Sequence, residues 1–196
     1  MTKTTSTQST TPPVLFFPDA TAWETWLESH PTDTAGVWLQ LSKKGAARES
    51  VTYDAALDSA LCFGWIDGQT KTLDADSYLR RFTPRRRQSM WSQRNVGKVA
   101  ALTASGRMRA AGLAEVTAAQ ADGRWGRAYA SPSTMTVPED FRAALDASAP
   151  AAQFFDALGK SQRYAFVWRL DTVKKAETRQ RKIKQFVEML LQQKTL

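Results

Sequence analysis

The spacing of apolar residues predicts strands interleaved with helices as far as about residue 126, and helices alone from Pro138 onward. Val14-Leu15-Phe16-Phe17 is a short apolar run ended by Pro18. Asp19 then stands where a cap belongs, before a helix carrying Trp23, Trp26 and Leu27 at i, i+3, i+4 spacing. From Gly36 to Leu41 the chain alternates, with Val37, Leu39 and Leu41 on one face, and Ser42-Lys43-Lys44-Gly45 closes this strand as a turn. Thr52 caps a second helix with Asp54 at its positive end and Leu57, Ala60 and Leu61 on its apolar face. Gly64 is placed to stop it in the left-handed conformation.

Trp65 to Leu73 and Ser77 to Thr83, separated by Asp74-Ala75-Asp76, read as a β-hairpin that Pro84 terminates. In its second strand Tyr78, Arg80 and Phe82 share one face, and Leu79, Arg81 and Thr83 the other. Helical patterns follow over 91–105 and 107–121, the second with Gly112 as a weak point, until Asp122-Gly123-Arg124-Trp125-Gly126 breaks them. Four more helices are predicted over 138–146, 151–158, 161–170 and 172–192. The last bears an apolar stripe of Ile183, Phe186, Val187, Leu190 and Leu191.

These elements predict an α+β fold: a small antiparallel sheet with helices, followed by an all-helical module. The expected organisation is a disordered tail at 1–13, an α+β domain with its hairpin at 14–126, a linker at 127–137 and a helical domain at 138–196.

Composition narrows the function classes. The 196 residues include one cysteine and one histidine, so an intramolecular disulfide and any site needing two imidazoles are excluded. His30 lies at a helix end and turn, and Cys62 at the end of an apolar helix reads as a small core residue. There is no Walker loop, dinucleotide-binding glycine fingerprint, paired-cysteine motif or zinc-protease motif, so no cofactor or metal is expected. No run approaches the roughly 18 apolar residues needed to span a bilayer. The Thr- and Ser-rich start, lacking an apolar signal core, points to the cytoplasm.

The net charge of +8 is unevenly distributed. Between Ser77 and Ala114 nine basic residues occur without an acid: Arg80, Arg81, Arg85, Arg86, Arg87, Arg94, Lys98, Arg107 and Arg109. A second cluster, Lys174, Lys175, Arg179, Arg181, Lys182 and Lys184, contains one acid, Glu177; together the clusters carry +14, leaving −6 for the rest. Arginine forks pair with carboxylate or phosphate, and Tyr78, Phe82 and Trp91 are interleaved with the first cluster, as in surfaces that bind anions or nucleic acid. The competing reading is a solvated face whose cations pair with acids elsewhere in the fold. Arg80 and Arg81 are adjacent in a strand, so one of them must face the covered side of the sheet. The candidate ligand-binding set is Trp65, Asp67, Lys71, Arg80, Arg81, Arg85, Trp91 and Asn95, with Asp67 as the natural partner of the hairpin cations; the bland alternative for Asp67 is a turn residue before Gly68.

Three groups of residues resemble a bacterial family, the YdeI/OmpD-associated or bacteriocin-protection proteins. They are Ala60-Leu61-Cys62-Phe63-Gly64-Trp65-Ile66-Asp67-Gly68; Tyr78-Leu79-Arg80-Arg81-Phe82-Thr83-Pro84-Arg85 with Trp91-Ser92; and Gly106-Arg107-Met108 with Ala121-Asp122-Gly123-Arg124-Trp125. Ala176-Glu177-Thr178-Arg179, leading into the basic last helix, is similar to that family's C-terminal helical module. The resemblance implies protection against bacteriocins or antimicrobial peptides, a periplasmic association and no settled catalytic residues. With the residues themselves, it leads to the expectation of a non-catalytic stress-protection protein that binds an anionic small molecule or an acidic protein surface at the Arg-rich hairpin. The alternatives are nucleic-acid binding through the hairpin and the following helix, and an enzyme acting on a small polar substrate through Asp67 and Arg80 or Arg81.

Overall fold

In the computed structural model, which describes residues 11–31, 35–131, 134–173 and 175–196, four strands form one sheet in the order β1-β2-β4-β3. Strand β1 (Val14–Phe16) runs parallel to β2 (Val37–Ser42), and β2 and β3 (Trp65–Thr72) flank β4 (Ser77–Pro84) antiparallel. The apolar run before Pro18 is therefore an edge strand, too short at three residues to declare itself by alternation. Helix α1 (Ala20–Ser29) starts where Asp19 accepts a hydrogen bond from the Ala22 amide at 2.9 Å. Helix α2 (Tyr53–Cys62) starts where Thr52 accepts from Ala55 at 3.3 Å. Both caps are the expected ones.

Val37, Leu39, Leu41 and Phe82 bury one face of the sheet against Trp23 and Leu27 of α1 and Ala56 and Ala60 of α2. Trp23 and Trp26 stack at 5.4 Å, and each meets Trp65 edge-on. Gly64 ends α2 with φ of +77°, as its position predicted. Helices α3 (Gln93–Ala104) and α4 (Ala110–Ala121) follow. Both begin later than the apolar pattern suggested. Trp91 is held in the core, and Arg109 lends its amide to the Cys62 carbonyl at 3.1 Å. Gly112, expected to weaken α4, is the point where α4 lies directly on the last carbonyls of α2.

The chain divides into two compact units: residues up to Trp91 together with Asn95–Arg127, and Ser92–Arg94 together with Ala128–Leu196. The stretch 127–137, read as a linker, thus divides after Arg127. In the second unit Ser92 bridges to Tyr129, and the Ala130 carbonyl accepts from Tyr164 at 3.1 Å. The tail read at 1–13 lies outside the described residues up to residue 10, as does Lys174 of the second basic cluster. Pro13 is described, and its carbonyl accepts from Trp38 at 2.8 Å.

The second unit packs α5 (Glu139–Asp146), α6 (Ala149–Ala157), α7 (Lys160–Asp171) and α8 (Ala176–Leu191) around Phe141, Phe155, Phe166 and Phe186, whose rings meet edge-to-face. Helix α8 begins at Ala176 instead of Thr172, because Thr172 caps α7. Arg179 ties three elements, pairing with Asp140 of α5 at 2.6 Å and donating to the Leu170 carbonyl of α7 at 2.8 Å. Its hydrogen bonds hold the Asp140 carboxyl below the usual carboxylate range. A carboxyl whose pKa is lower folded than unfolded stabilises the fold above the unfolded value, about 3.9, and loses that contribution as pH falls toward the folded value. Asp140→Asn should therefore melt below the wild type at pH 7, and the two should converge as pH drops below about 4. Melting curves across this range check it; a gap independent of pH contradicts it.

Candidate anion-binding site

The register of the hairpin sorts its candidate residues onto two faces. Arg80 pairs with Leu39 and Asp67 with Phe82, which places both on the helix-covered side, whereas Arg81 pairs with Trp38 on the other. A β-bulge between Asp67 and Thr70 lets Asp67 and Arg80 converge on that first side.

There Asp67 is held through one carboxylate oxygen. The Tyr53 hydroxyl donates to its Oδ2 at 2.7 Å, and Arg80 donates through Nε at 3.1 Å and through Nη2. Arg80 also donates to Thr70 and lies over the Tyr53 ring at 4.9 Å. Burial works against the arginine's charge, but the hydrogen bonds and negative charge of Asp67, together with Tyr53, outweigh that penalty, so its pKa sits above the usual value. The pair is an internal tie between α2, β3 and β4, and its cation is already matched.

Lys71 and Arg81 stand on the other face. Lys71 Nζ stands 4.3 Å from the centre of the Trp38 ring, and the Arg81 guanidinium 5.6 Å from it, a cation–π arrangement that leaves Trp38 only 9% exposed. Arg81 also donates to the Ala35 carbonyl, and Lys71 is exposed. Phe16 and Gln40 continue this face and line a recess of about 190 Å³ with Arg48, whose guanidinium lies 3.5 Å over Phe16. Asp74 and Asp76 bound the recess at the hairpin tip. Hydrogen bonds, chiefly from Ser77, occupy Asp74 and hold its pKa low.

The remaining candidates stand elsewhere. Trp65 is fully buried among Trp23 and Trp26. Arg85 is buried with its guanidinium stacked 3.4 Å from the centre of Trp91, which packs against Trp125 at 4.8 Å. Its Nη1 donates to the Met90 carbonyl at 3.3 Å. Asn95 is buried in α3. The cluster is also partly neutralised from within: Lys98 pairs with Asp58 at 2.7 Å and Arg107 with Glu24 at 2.9 Å. Arg86 and Arg87 are exposed and form no ion pair among the described residues. Cys62 is 1% exposed and its pKa is raised, chiefly by burial, which leaves a protonated core thiol. His30 closes α1, its ring stacked on Trp26 at 4.1 Å and its Nδ1 2.8 Å from the Trp26 carbonyl.

Trp38, Tyr53 and Thr70 are the residues missed from sequence. The alternation of β2 already placed Trp38 opposite Val37 and Leu39; that this is the face of Arg81 follows from the pairing of β2 with β4. Tyr53 carries no signal linking it to Asp67, since the contact spans fourteen residues and depends on how α2 packs.

No helix among the described residues is long and apolar enough to cross a membrane. No curated protein and no solved structure matches the chain. Residues 134–193 match the family described as Bacteriocin-protection, YdeI or OmpD-Associated, which covers the four-helix region. The hairpin motifs fall within a different match, over residues 15–115, to a Domain of unknown function (DUF8412). The chain thus belongs to the DUF8412 family through its first half and carries a C-terminal module of the bacteriocin-protection, YdeI or OmpD-associated kind.

Proposed function

We propose that this is a non-catalytic binding protein that captures an anionic small molecule bearing phosphate or carboxylate groups on the sheet face of Lys71, Arg81 and Trp38. The observation that carries the reading is the convergence of Lys71 and Arg81 over the Trp38 indole on one face of the hairpin, where Lys71 is exposed, while Arg80 on the covered face is matched by Asp67. The description of the C-terminal match supports a protective role. Direct capture of cationic peptides is disfavoured on this face by charge repulsion.

Nucleic-acid binding has fewer cations to draw on, because Arg80, Lys98 and Arg107 spend their charge within the fold. Thermal shift against a panel of phosphorylated and carboxylated metabolites, with a single-stranded oligonucleotide as a separate arm, tests the proposal. A ligand at about a hundred times its Kd stabilises by about 2.7 kcal/mol. At least one small anion should do so, and Lys71→Glu should abolish the shift while leaving the unliganded melting temperature nearly unchanged. No hit, or a hit that Lys71→Glu leaves intact, overturns the reading. Strongly salt-dependent binding of the oligonucleotide alone transfers it to nucleic acid.

A further inference from the structure

Helices α5 and α8 leave an open groove of about 570 Å³ in the second unit, floored by Ala144, Ala147, Ile183 and Val187. Ala144 on α5 and Ala147 at its C-terminal cap are small, so that a neighbouring helix could approach closely. Leu191, one turn beyond Val187 on α8, extends the apolar stripe and is 48% exposed.

Charge on the groove's rim distinguishes one occupant from others. Arg142 and Arg179 of this unit are both ion-paired inside it, with Asp146, Asp156 and Asp140. Lys184 and Glu188 are exposed on the rim and pair with no described residue. Lysine preceding glutamate by four positions is the weaker order for a pair within one helix, so each charge stays available to a partner. Beside Asp140, which Arg179 already matches, the rim carries one cation and one anion a turn apart, a self-complementary pattern. When two copies of α8 cross antiparallel about a two-fold axis, each lysine falls opposite the other copy's glutamate, twice per interface.

We propose that the α5–α8 groove is the docking surface for a second copy of this chain, with Lys184 placed against Glu188 of the partner subunit. Helix α8, sixteen residues long, spans about 24 Å at 1.5 Å per residue. A patch of that length reaches only the low end of the roughly 1,200–2,000 Å² that stable interfaces bury, so the dimer exchanges with monomer as concentration changes.

Sedimentation velocity of the full chain, from micromolar to near-millimolar concentration, tests this with Lys184→Glu, Glu188→Lys and the double swap. Both side chains are exposed, and circular dichroism confirms that each variant folds. The wild type should shift from monomer to dimer. Each single swap should weaken association by about tenfold or more, since it sets like charges opposite each other twice, and the double swap should restore it. A wild type that stays monomeric, a dimer indifferent to the single swaps, or a double swap that fails to restore association overturns the proposal. Binding of an amphipathic peptide by a strictly monomeric chain overturns it as well and assigns the groove to another partner.

Discussion

Gly112→Ala should lower the stability of the first unit by about 1–3 kcal/mol, the usual cost of overpacking. Helix propensity alone gives the opposite sign, a gain of about 1 kcal/mol for alanine over glycine in a helix interior. Packing wins because a Cβ at residue 112 would lie 2.3 Å from the Cys62 carbonyl oxygen and 2.6 Å from that of Leu61. These are backbone atoms at the end of α2, and no rotamer change relieves the overlap. Relief requires α4 to back away, which strains the 3.1 Å hydrogen bond from the Arg109 amide to Cys62 and the fit of Gly64 against Ala111. Urea unfolding followed by tryptophan emission suits the measurement, since Trp23, Trp26, Trp38, Trp65, Trp91 and Trp125 all lie in this unit. An unchanged or raised midpoint would show that α4 does not sit on the end of α2 as described.

Asp67→Ala should cost about 2 kcal/mol, between the 0–1 typical of surface pairs and the 3–5 that follow when one partner of a buried pair is removed. The intermediate value reflects the setting: the Asp67 side chain is 12% exposed and that of Arg80 25%. The substitution strands a half-buried guanidinium and leaves the Tyr53 hydroxyl without its acceptor. Removing both charges in Asp67→Leu/Arg80→Met should recover much of the loss, since no uncompensated charge remains. A double-mutant cycle measures the coupling. If Asp67→Ala keeps full stability and instead abolishes anion binding, Asp67 is part of the binding site and not an internal tie.

Most element types were legible in the sequence because their signals are local. Asp19 and Thr52 cap the helices they precede, Gly64 stops α2 with positive φ, and alternation places Val37, Leu39 and Leu41 in the core. Adjacency in a strand correctly required Arg80 and Arg81 to part company. That Arg80 meets Asp67 was not legible, because that depends on the bulge in β3 and on Tyr53 arriving from α2. The charge run behaved likewise. Its cations looked unopposed because their acids, Asp58 and Glu24, lie forty and eighty-three residues away from Lys98 and Arg107. The packing role of Gly112 was not legible for the same reason: its propensity is a property of one helix, whereas its fit depends on another.

The anion-binding face proposed for this protein is that of Lys71, Arg81 and Trp38, with the Asp67–Arg80 pair as a structural tie. Heteronuclear NMR of the labelled full chain, titrated separately with inorganic pyrophosphate and with citrate, tests it most directly. Saturable shifts should centre on the Trp38 indole N–H and the amides of Lys71 and Arg81, and should vanish in Lys71→Glu. Saturable shifts confined to Arg86 and Arg87 or to α8, with the Trp38 indole unmoved, would contradict it.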